Sequence, residues 1–204
     1  MIYSVCSIEV PPGKVNDALA SLAETVKAGR VGGELRACWY SEIGRLNRIL
    51  LISAHPSGEA YAAAQEAALR SDNAYGVASV ATHVTLDAFA SFPDFDVLTP
   101  GNVGPVFEVR QYQLRKAGLA PTLELWRKVV PARSQLSPLA TAMYAINGLV
   151  PRFMHIWPYR SLDERMRIRE DAVKQGLWPP PGGIAHIEAM QSEIFLPAAF
   201  SPVH

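Results

Sequence analysis

Several features that would assign this 204-residue chain to a common class of protein are absent from its sequence. Only two cysteines occur, Cys6 and Cys38, and they lie in different segments without the CxxC spacing of a zinc or redox motif. Basic and acidic side chains number 19 each, so the formal net charge is zero. A neutral chain lacks the basic footprint of a nucleic-acid-binding protein. We therefore expect two reduced, partly buried thiols and no nucleic-acid partner.

Long apolar runs and targeting segments are also missing. No stretch approaches the ~20 apolar residues of a membrane-spanning helix. The first ten residues, MIYSVCSIEV, alternate as a strand does and lack the charged and apolar regions of a secretory signal. The sequence therefore predicts a cytoplasmic protein without a membrane span. It also contains no glycine-rich phosphate loop and no GxSxG elbow, so no motif for phosphoryl transfer or for hydrolysis by a catalytic triad is recognisable.

What the sequence does contain is a repeat at one fixed offset. The strand segment 3–10 corresponds to 107–114, and Gly44 in a predicted hairpin turn corresponds to Gly148, in both cases 104 positions later. Four apolar positions of a predicted helix repeat at the same offset: Val15, Leu19, Leu22 and Val26 with Leu119, Leu123, Trp126 and Val130. One offset shared by a strand, a helix and a turn indicates a tandem duplication.

Each half is predicted to have the order βαββαβ, which is that of a ferredoxin-like unit. The predicted elements of the two halves are strands at 2–10 and 106–114, helices at 14–28 and 118–131, hairpins at 35–55 and 139–159, helices starting at Ser57 and Ser161, and strands at 80–89 and 184–195. The predicted domains are 1–98 and 105–204, joined by a Pro- and Gly-containing linker at 93–105. A four-stranded sheet with both helices on one face leaves its other face uncovered. We therefore predict an α+β fold in which the two units bury those faces against each other as an intramolecular pseudo-dimeric α+β barrel.

The second half resembles the NIPSNAP family. The resemblance rests on FEVRQYQL at 107–114, HIWPY at 155–159, SLDER at 161–165 and LPAAFSP at 196–202. It implies the ferredoxin-like dimeric α+β barrel fold, whose other members include cofactor-free monooxygenases, haem-using enzymes and small stress-responsive proteins. In the first half, Ser4, Cys6 and Ile8 stand where Glu108, Arg110 and Tyr112 stand, and Leu51, Ser53 and His55 replace His155, Trp157 and Tyr159. At most one complete site per chain is therefore expected, in the second half.

Strand alternation places the candidate site residues on one face. In 107–114, Phe107 and Val109 point away from the face that holds Glu108, Arg110 and Tyr112. We expect the first two to pack on the helices and the other three to line the barrel interior. The same alternation is expected to place His155, Trp157 and Tyr159 inside the barrel, with Met154 and Ile156 against the helices. Polar groups buried in this way require polar partners or a ligand.

Three hypotheses follow from this polar and aromatic face. In the first, the protein binds a small, partly aromatic molecule with a carboxylate or carbonyl group. Arg110 would then be the anchor and Trp157 and Tyr159 the walls, with Tyr112 a further ligand-binding candidate. In the second, it is a cofactor-free isomerase or monooxygenase-like enzyme that uses His155 or Glu108 as base. In the third, it is a purely structural or interaction protein, the barrel is filled by its own side chains, and the polar face is a structural network of ion pairs.

Further candidates lie in the C-terminal segments. Arg165 and Arg169 are four residues apart on a helix, which is typical of an exposed pair, although Arg169 at a cavity mouth could hold an anion. Trp178 precedes the PPPGG loop at 179–183 and is expected to cover the site or to plug it. His186 and Glu188 share one face of the predicted last strand, but their spacing is unspecific and we expect no metal and no cofactor. Whether two chains pair into a homodimer is left open.

Overall fold

The computed structural model describes residues 1–95 and 98–204. Asp96 and Val97, which belong to the predicted linker, lie outside the described residues. Within the described part of the chain, no helix combines the length and the apolar character needed to cross a membrane.

The two halves contain the same elements in the same order. The first half consists of β1 (Ile2–Glu9), α1 (Val15–Lys27), β2 (Glu34–Ile43), β3 (Arg48–His55), α2 (Gly58–Leu69) and β4 (His83–Ser91). The second consists of β5 (Val106–Leu114), α3 (Leu119–Arg133), β6 (Thr141–Ala145), β7 (Arg152–Tyr159), α4 (Leu162–Lys174) and β8 (Ile187–Pro197). Short 3-10 turns at 74–76 and 183–186 precede β4 and β8.

The eight strands close into one barrel in the order β1-β3-β2-β8-β5-β7-β6-β4. All strand pairs are antiparallel, and the two halves meet at the β2–β8 and β4–β6 pairs. The predicted α+β barrel of two ferredoxin-like units is confirmed. Within one half the strands pair as the ferredoxin-like order requires, for example β1 with both β3 and β4.

Local sequence signals set the helix starts. Ser57 and Ser161 are the N-caps of α2 and α4, and their side chains accept hydrogen bonds from the backbone N–H groups of Ala60 and Glu164. The carboxylate of Glu164 accepts from the backbone N–H of Arg160, one residue earlier than a capping box requires. The prediction for the last strand was wrong at its start, because His186 ends the 3-10 turn and β8 begins at Ile187.

The barrel interior is an apolar core built from both halves. Trp39 of β2 stacks on Phe107 of β5, with ring centroids 4.2 Å apart and planes at 17°. Leu98, before β5, and Val203, at the C-terminus, belong to the same core and close one end of the barrel. The other core residues are Tyr3, Val5, Ala37, Leu50, Ile52, Ala54, Phe89, Val109, Met143, Ala145, Met154, Ile156 and Phe195.

This core shows that the predicted facing of β5 and β7 was wrong. Val109 and Ile156 point into the barrel, whereas Tyr112 and Trp157 pack with residues of α3 and α4 outside it. Both faces of these strands are buried, so alternation separates the two faces without showing which one is inside. An eight-stranded barrel has an interior just wide enough for side chains to fill it, and the apolar face fills it here.

Polar groups occupy the other end of the barrel interior. Arg48 of β3 pairs with Glu193 of β8, and Arg152 of β7 pairs with Asp87 of β4, with a nitrogen–oxygen distance of 3.0 Å in the second pair. Arg48 and Arg152 are 104 positions apart, so they are equivalent residues of the two halves. Each ion pair joins one half to the other and thereby fixes how the halves are paired.

Candidate functional site

The candidate site lies between the outer face of the second-half sheet and the helices α3 and α4. The strands β5 and β7 pair in a register that sets Glu108 opposite Trp157 and Arg110 opposite His155. Trp126 and Val130 of α3 and Ala172 of α4 are buried against this face. The side chains expected inside the barrel therefore do lie together, but in the layer between sheet and helices.

A buried carboxylate is the centre of the polar part of this layer. Glu108 is fully buried, and one of its carboxylate oxygens, Oε1, accepts hydrogen bonds from Arg110 (2.6 Å), Arg165 (2.6 Å) and Ser192 (2.7 Å). Arg169 lies farther away, with Nη1 at 4.0 Å from the other oxygen, Oε2. Arg165 is thus a partner of Glu108, and the prediction of an exposed arginine pair was wrong for this residue.

The protonation state of Glu108 follows from these contacts. Burial by itself would raise the pKa of this carboxyl, but the hydrogen bonds and charges of Arg165, Arg110 and Ser192 lower its pKa to about 2. Glu108 is therefore ionised at neutral pH. In the described part of the chain, Glu108 is the carboxylate that lies within 4.0 Å of Arg110, Arg165 and Arg169, so three cations share one anion.

Arg110 is held in place on several sides. Its guanidinium donates to the Tyr112 hydroxyl (2.6 Å) and to Glu108, and lies 3.3 Å from the Ser192 hydroxyl. Its side chain is 12% exposed, so part of the charged group still faces the space beside it. A guanidinium positioned before a ligand arrives loses little conformational freedom on binding.

His155 is enclosed by aromatic side chains and is fully buried. Its five ring neighbours, with centroid distances between 4.7 and 6.3 Å, are Tyr112, Trp126, Phe153, Trp157 and Trp178. The indole N–H of Trp157 donates to Nδ1 of His155 at 2.7 Å. Because an indole only donates, Nδ1 is the acceptor and the proton of the neutral ring is on Nε2.

The surroundings of His155 keep it neutral. Burial lowers its pKa well below the ordinary value, and the positive charge of Arg110 lowers it further. With Nδ1 occupied by the indole N–H and Nε2 protonated, the ring has no free lone pair with which to remove a proton. This arrangement does not favour His155 as a base, and the ionised, triply hydrogen-bonded Glu108 is likewise a weak one.

A second buried arginine lies on the far side of Trp157. The guanidinium of Arg133 is 4.4 Å from the centre of the Trp157 ring, and Arg133 is 2% exposed. Burial lowers the pKa of Arg133 and raises that of the neighbouring Tyr159 to about 12. Trp157 therefore contacts His155 through its indole N–H and Arg133 through its ring face.

A cavity of about 200 Å³ opens beside this network. Arg110 of β5 and Arg169 of α4 contribute its charged groups, and Trp126 and Trp178 contribute aromatic walls. Trp178 is 8% exposed and packs edge-on against Trp126 at 5.2 Å, so it is both a wall of the cavity and part of the core. The remaining lining residues are Tyr112, Thr122, Leu125, Phe153, Val173, Pro179, Pro180, Gly183, Ile184, Ile187 and Met190.

The structure brings together most of the predicted site residues and adds others. Arg110, Tyr112, Arg169 and Trp178 line the cavity, whereas Glu108, His155, Trp157 and Tyr159 lie behind its wall. Sequence reasoning did not assign Trp126, Arg133 or Ser192 to the site. Trp126 was recognised as a helix residue of the repeat, and its replacement of Leu22 in the first half was the signal that could have identified it.

No metal site is found in the described part of the chain, where no group of three or more His, Cys, Asp or Glu side chains is arranged to hold an ion. His186 and Glu188 do not share a strand face, because His186 precedes β8. Cys6 and Cys38 are free and buried. Burial raises the pKa of the Cys6 thiol to about 12, so these thiols are poor nucleophiles and poor ligands.

The fold and the site together define an intramolecular α+β barrel of two ferredoxin-like repeats with a charged, aromatic cavity in one of them. The NIPSNAP family model matches residues 3–90 and 107–202. The chain belongs to the NIPSNAP family, and both of its halves are members of it. The family resemblance of the second half is confirmed and extends to the first.

Individual relatives agree with this assignment. The protein NipSnap of Drosophila melanogaster is 23% identical over 99% of this chain and 78% of its own length. A protein NipSnap homolog of Dictyostelium discoideum is 28% identical over 47% of this chain, and the match spans only 44% of that relative. A solved anthrone oxidase-like protein has the same fold, with a TM-score of 0.70, 10% identity and coverage of 97% of this chain and 91% of its own.

Proposed function

We propose that the second-half cavity binds a small, partly aromatic molecule with a carboxylate or similar anionic group. The observation that supports this most directly is the excess of positive charge at one wall of an otherwise apolar cavity. Arg110, Arg165 and Arg169 share the single carboxylate of Glu108. An anion bound at Arg110 and Arg169 would supply the missing negative charge in a partly desolvated site, where charge-assisted hydrogen bonds are strong.

The two lining arginines have different parts in this proposal. Arg110 is fixed by Glu108 and Tyr112, so it provides an oriented anchor. The side chain of Arg169 is 34% exposed. In the described part of the chain its nearest carboxylate oxygen is Oε2 of Glu108, 4.0 Å from Nη1. Arg169 is therefore free to close on a ligand oxygen. Trp126, Trp178 and Tyr112 would contact the flat faces of the ligand, because aromatic rings bury large areas and stack in defined geometries.

The size of the cavity limits the ligand. Its volume of about 200 Å³ lies below the usual range of drug-sized pockets, which begins at about 300 Å³. A ligand with one or two fused rings is the expected occupant of the closed part. Trp157 and Tyr159 act indirectly in this proposal, since they support His155 and Arg133 from behind the wall.

The alternative of a cofactor-free enzyme that uses His155 or Glu108 as base has less support. His155 presents a protonated Nε2 and an occupied Nδ1, and Glu108 is ionised and hydrogen-bonded by two arginines and a serine. The likeness to an anthrone oxidase-like protein is a likeness of fold at 10% identity and does not transfer a reaction. The cytoplasmic location and the homodimer considered from the sequence stay predictions.

Thermal shift and calorimetry with paired ligands test the proposal. We expect 2-naphthoate to raise the melting temperature and to bind, whereas 2-naphthamide, with the same rings and no charge, binds at least ten times more weakly. In an Arg169→Gln variant the preference for the carboxylate should fall to about threefold or less, because one of two charge-assisted contacts is removed.

Arg167→Gln provides the matched control. Arg167 is on the same helix, two residues away, exposed, and does not line the cavity. The variant should bind 2-naphthoate as the wild-type protein does. Equal binding of acid and amide by the wild-type protein would contradict the proposal, as would an equal loss of binding in both arginine variants.

A further inference from the structure

The cavity changes character along one direction, from charged to apolar. On β5, Glu108 and Arg110 are followed on the same face by Tyr112 and Leu114. On α4, Arg165 contacts Glu108, Arg169 lines the cavity, and Val173 lines it one turn farther on. A strand and a helix on opposite walls thus show the same order, which gives the cavity a charged end and an apolar end.

The register of β5 and β8 gives the length of this gradient. Ser192 is opposite Arg110, Met190 is opposite Tyr112, and Ile187 is opposite Leu114. Four strand residues at about 3.3 Å each separate the arginine from the last pair by about 13 Å. Met190 is two strand residues from the position opposite Arg110, so a single aromatic carboxylate held at Arg110 reaches Met190 and does not reach the last pair.

The apolar end is open to the surface. Three large side chains that line it are more than half exposed: Val173 (61%), Ile184 (63%) and Met190 (59%). They come from α4, from the turn before β8 and from β8 itself. Exposed apolar residues that cluster around the mouth of a cavity mark a binding surface more often than single scattered ones do. Their burial requires an apolar group that extends out of the cavity.

We infer that the ligand is an anionic amphiphile whose head group binds Arg110 and Arg169 and whose apolar tail leaves the cavity between Val173, Ile184 and Met190. This inference rests on the proposed function and specifies the class of ligand. Arg110 and Arg169 select for a negatively charged head group, and the apolar residues at the exit select for an apolar chain. The closed part of the cavity holds the segment that joins them.

A homologous series of 4-n-alkylbenzoates, from methyl to octyl, measured by calorimetry below their micelle concentrations, tests the inference. While added methylenes become buried at the exit, we expect the dissociation constant to fall about fourfold per methylene. The gain should stop once the chain extends beyond the three exit residues. In Ile184→Ser and Met190→Ser variants the gain per methylene should be reduced.

Met166→Ser is the matched control, because Met166 is a 65% exposed methionine of α4 that does not line the cavity. It should leave the chain-length series unchanged. If benzoate and 2-naphthoate bind but chain length has no effect, the inference fails and the proposed function stands. If neither 2-naphthoate nor any member of the series binds, both fail. A chain-length gain that survives in the Ile184→Ser and Met190→Ser variants also overturns the inference, since the tail then lies elsewhere.

Discussion

In each half of this barrel a layer of side chains lies between the sheet and the helices. The two layers have the same backbone arrangement and different side chains. Ser4 is opposite Ser53 in the first half, and Glu108 is opposite Trp157 in the second, at equivalent positions of identical registers. Two residues further along the strand, Cys6 opposite Leu51 replaces Arg110 opposite His155. The helices differ in the same way, since Leu22, Tyr61 and Gln65 stand where Trp126, Arg165 and Arg169 stand.

The comparison shows that the fold and the site depend on different residues of the sequence. In the first-half layer, Cys6, Ile8, Leu22, Ile49 and Leu51 pack as an apolar cluster. The second-half layer has the same strands and helices with a buried ion cluster and a cavity. Periodic apolar positions are enough to build the layer, whereas the cavity depends on a few large and charged residues.

The largest expected difference between the halves comes from the buried carboxylate. Glu108→Gln removes the anion shared by Arg110 and Arg165 and should lower the free energy of unfolding by about 3–5 kcal/mol, because it leaves buried guanidinium groups uncompensated. The equivalent first-half change, Ser4→Ala, removes the hydrogen bond to His55 and a longer one to the Ser53 carbonyl, and should cost about 1 kcal/mol. Urea unfolding measures both. Similar losses in the two variants would contradict an ion cluster specific to the second half.

Lowering the pH should reveal the same contribution of Glu108 to stability. The pKa of Glu108 is lowered from 4.5 to about 2 in the folded protein, which corresponds to about 3 kcal/mol of stability. Because the folded-state pKa is the lower one, this stability is present above about pH 4.3 and is lost as the pH falls towards 2. The wild-type protein should therefore lose stability across this window, and Glu108→Gln should lose less. Parallel pH profiles for the two proteins would show that the carboxylate is not stabilised by its neighbours.

Neutral His155 acts over a different part of the pH range. Its folded-state pKa is lowered, so the unfolded chain takes up a proton below about pH 6.5 and the folded protein does not. Stability is therefore also lost as the pH falls below that value. Burial lowers the pKa of His55 as well, so His55 adds to this loss. The loss should be present in Glu108→Gln too, which separates the histidines from Glu108 in one titration.

Trp126 and Leu22 are equivalent positions of the two halves. Exchanging their side chains tests whether the packing of each layer is specific to the residue it contains. Trp126→Leu introduces the first-half residue and should cost about 2–3 kcal/mol, because Trp126 is 3% exposed and contacts Phe92, Phe153, His155 and Trp178. Leu22→Trp forces a larger ring into a fully buried position and should cost about 1–3 kcal/mol. Denaturant unfolding of both variants is the measurement. A neutral exchange in either direction would mean that the two layers are interchangeable.

The smallest expected difference concerns the ion pairs in which the halves are most alike. In the Arg48–Glu193 pair the side chains are 8% and 3% exposed, and in the Arg152–Asp87 pair they are 16% and 30% exposed. Arg48→Met should therefore cost about 1–2 kcal/mol more than Arg152→Met, because the carboxylate it leaves unpaired is more deeply buried. Equal costs in urea unfolding would show that the two pairs are equivalent in energy as well as in position.

Sequence reasoning identified the repeat, the order of the elements and the starts of α2 and α4 because each rests on local chemistry. Ser57 and Ser161 cap their helices through bonds within one turn. It also placed Glu108, Arg110 and Tyr112 on one face, since alternation is a property of the strand itself. It misassigned that face to the barrel interior, because both faces are buried in this fold and period-two alternation is the same for either choice.

The sequence by itself determined that the chain is a duplicated ferredoxin-like unit with a degenerate first half. The reason is that apolar periodicity and the constant offset between equivalent residues are properties of the linear sequence. Only the tertiary structure decided which face is the core and which is the site. The barrel closes on Trp39, Phe107 and Phe195, from three strands of two halves, and leaves the charged face to the helices. Arg165 and Arg169 reach Glu108 across 57 and 61 positions of sequence, and such a meeting is set by how the helices pack and not by any local pattern.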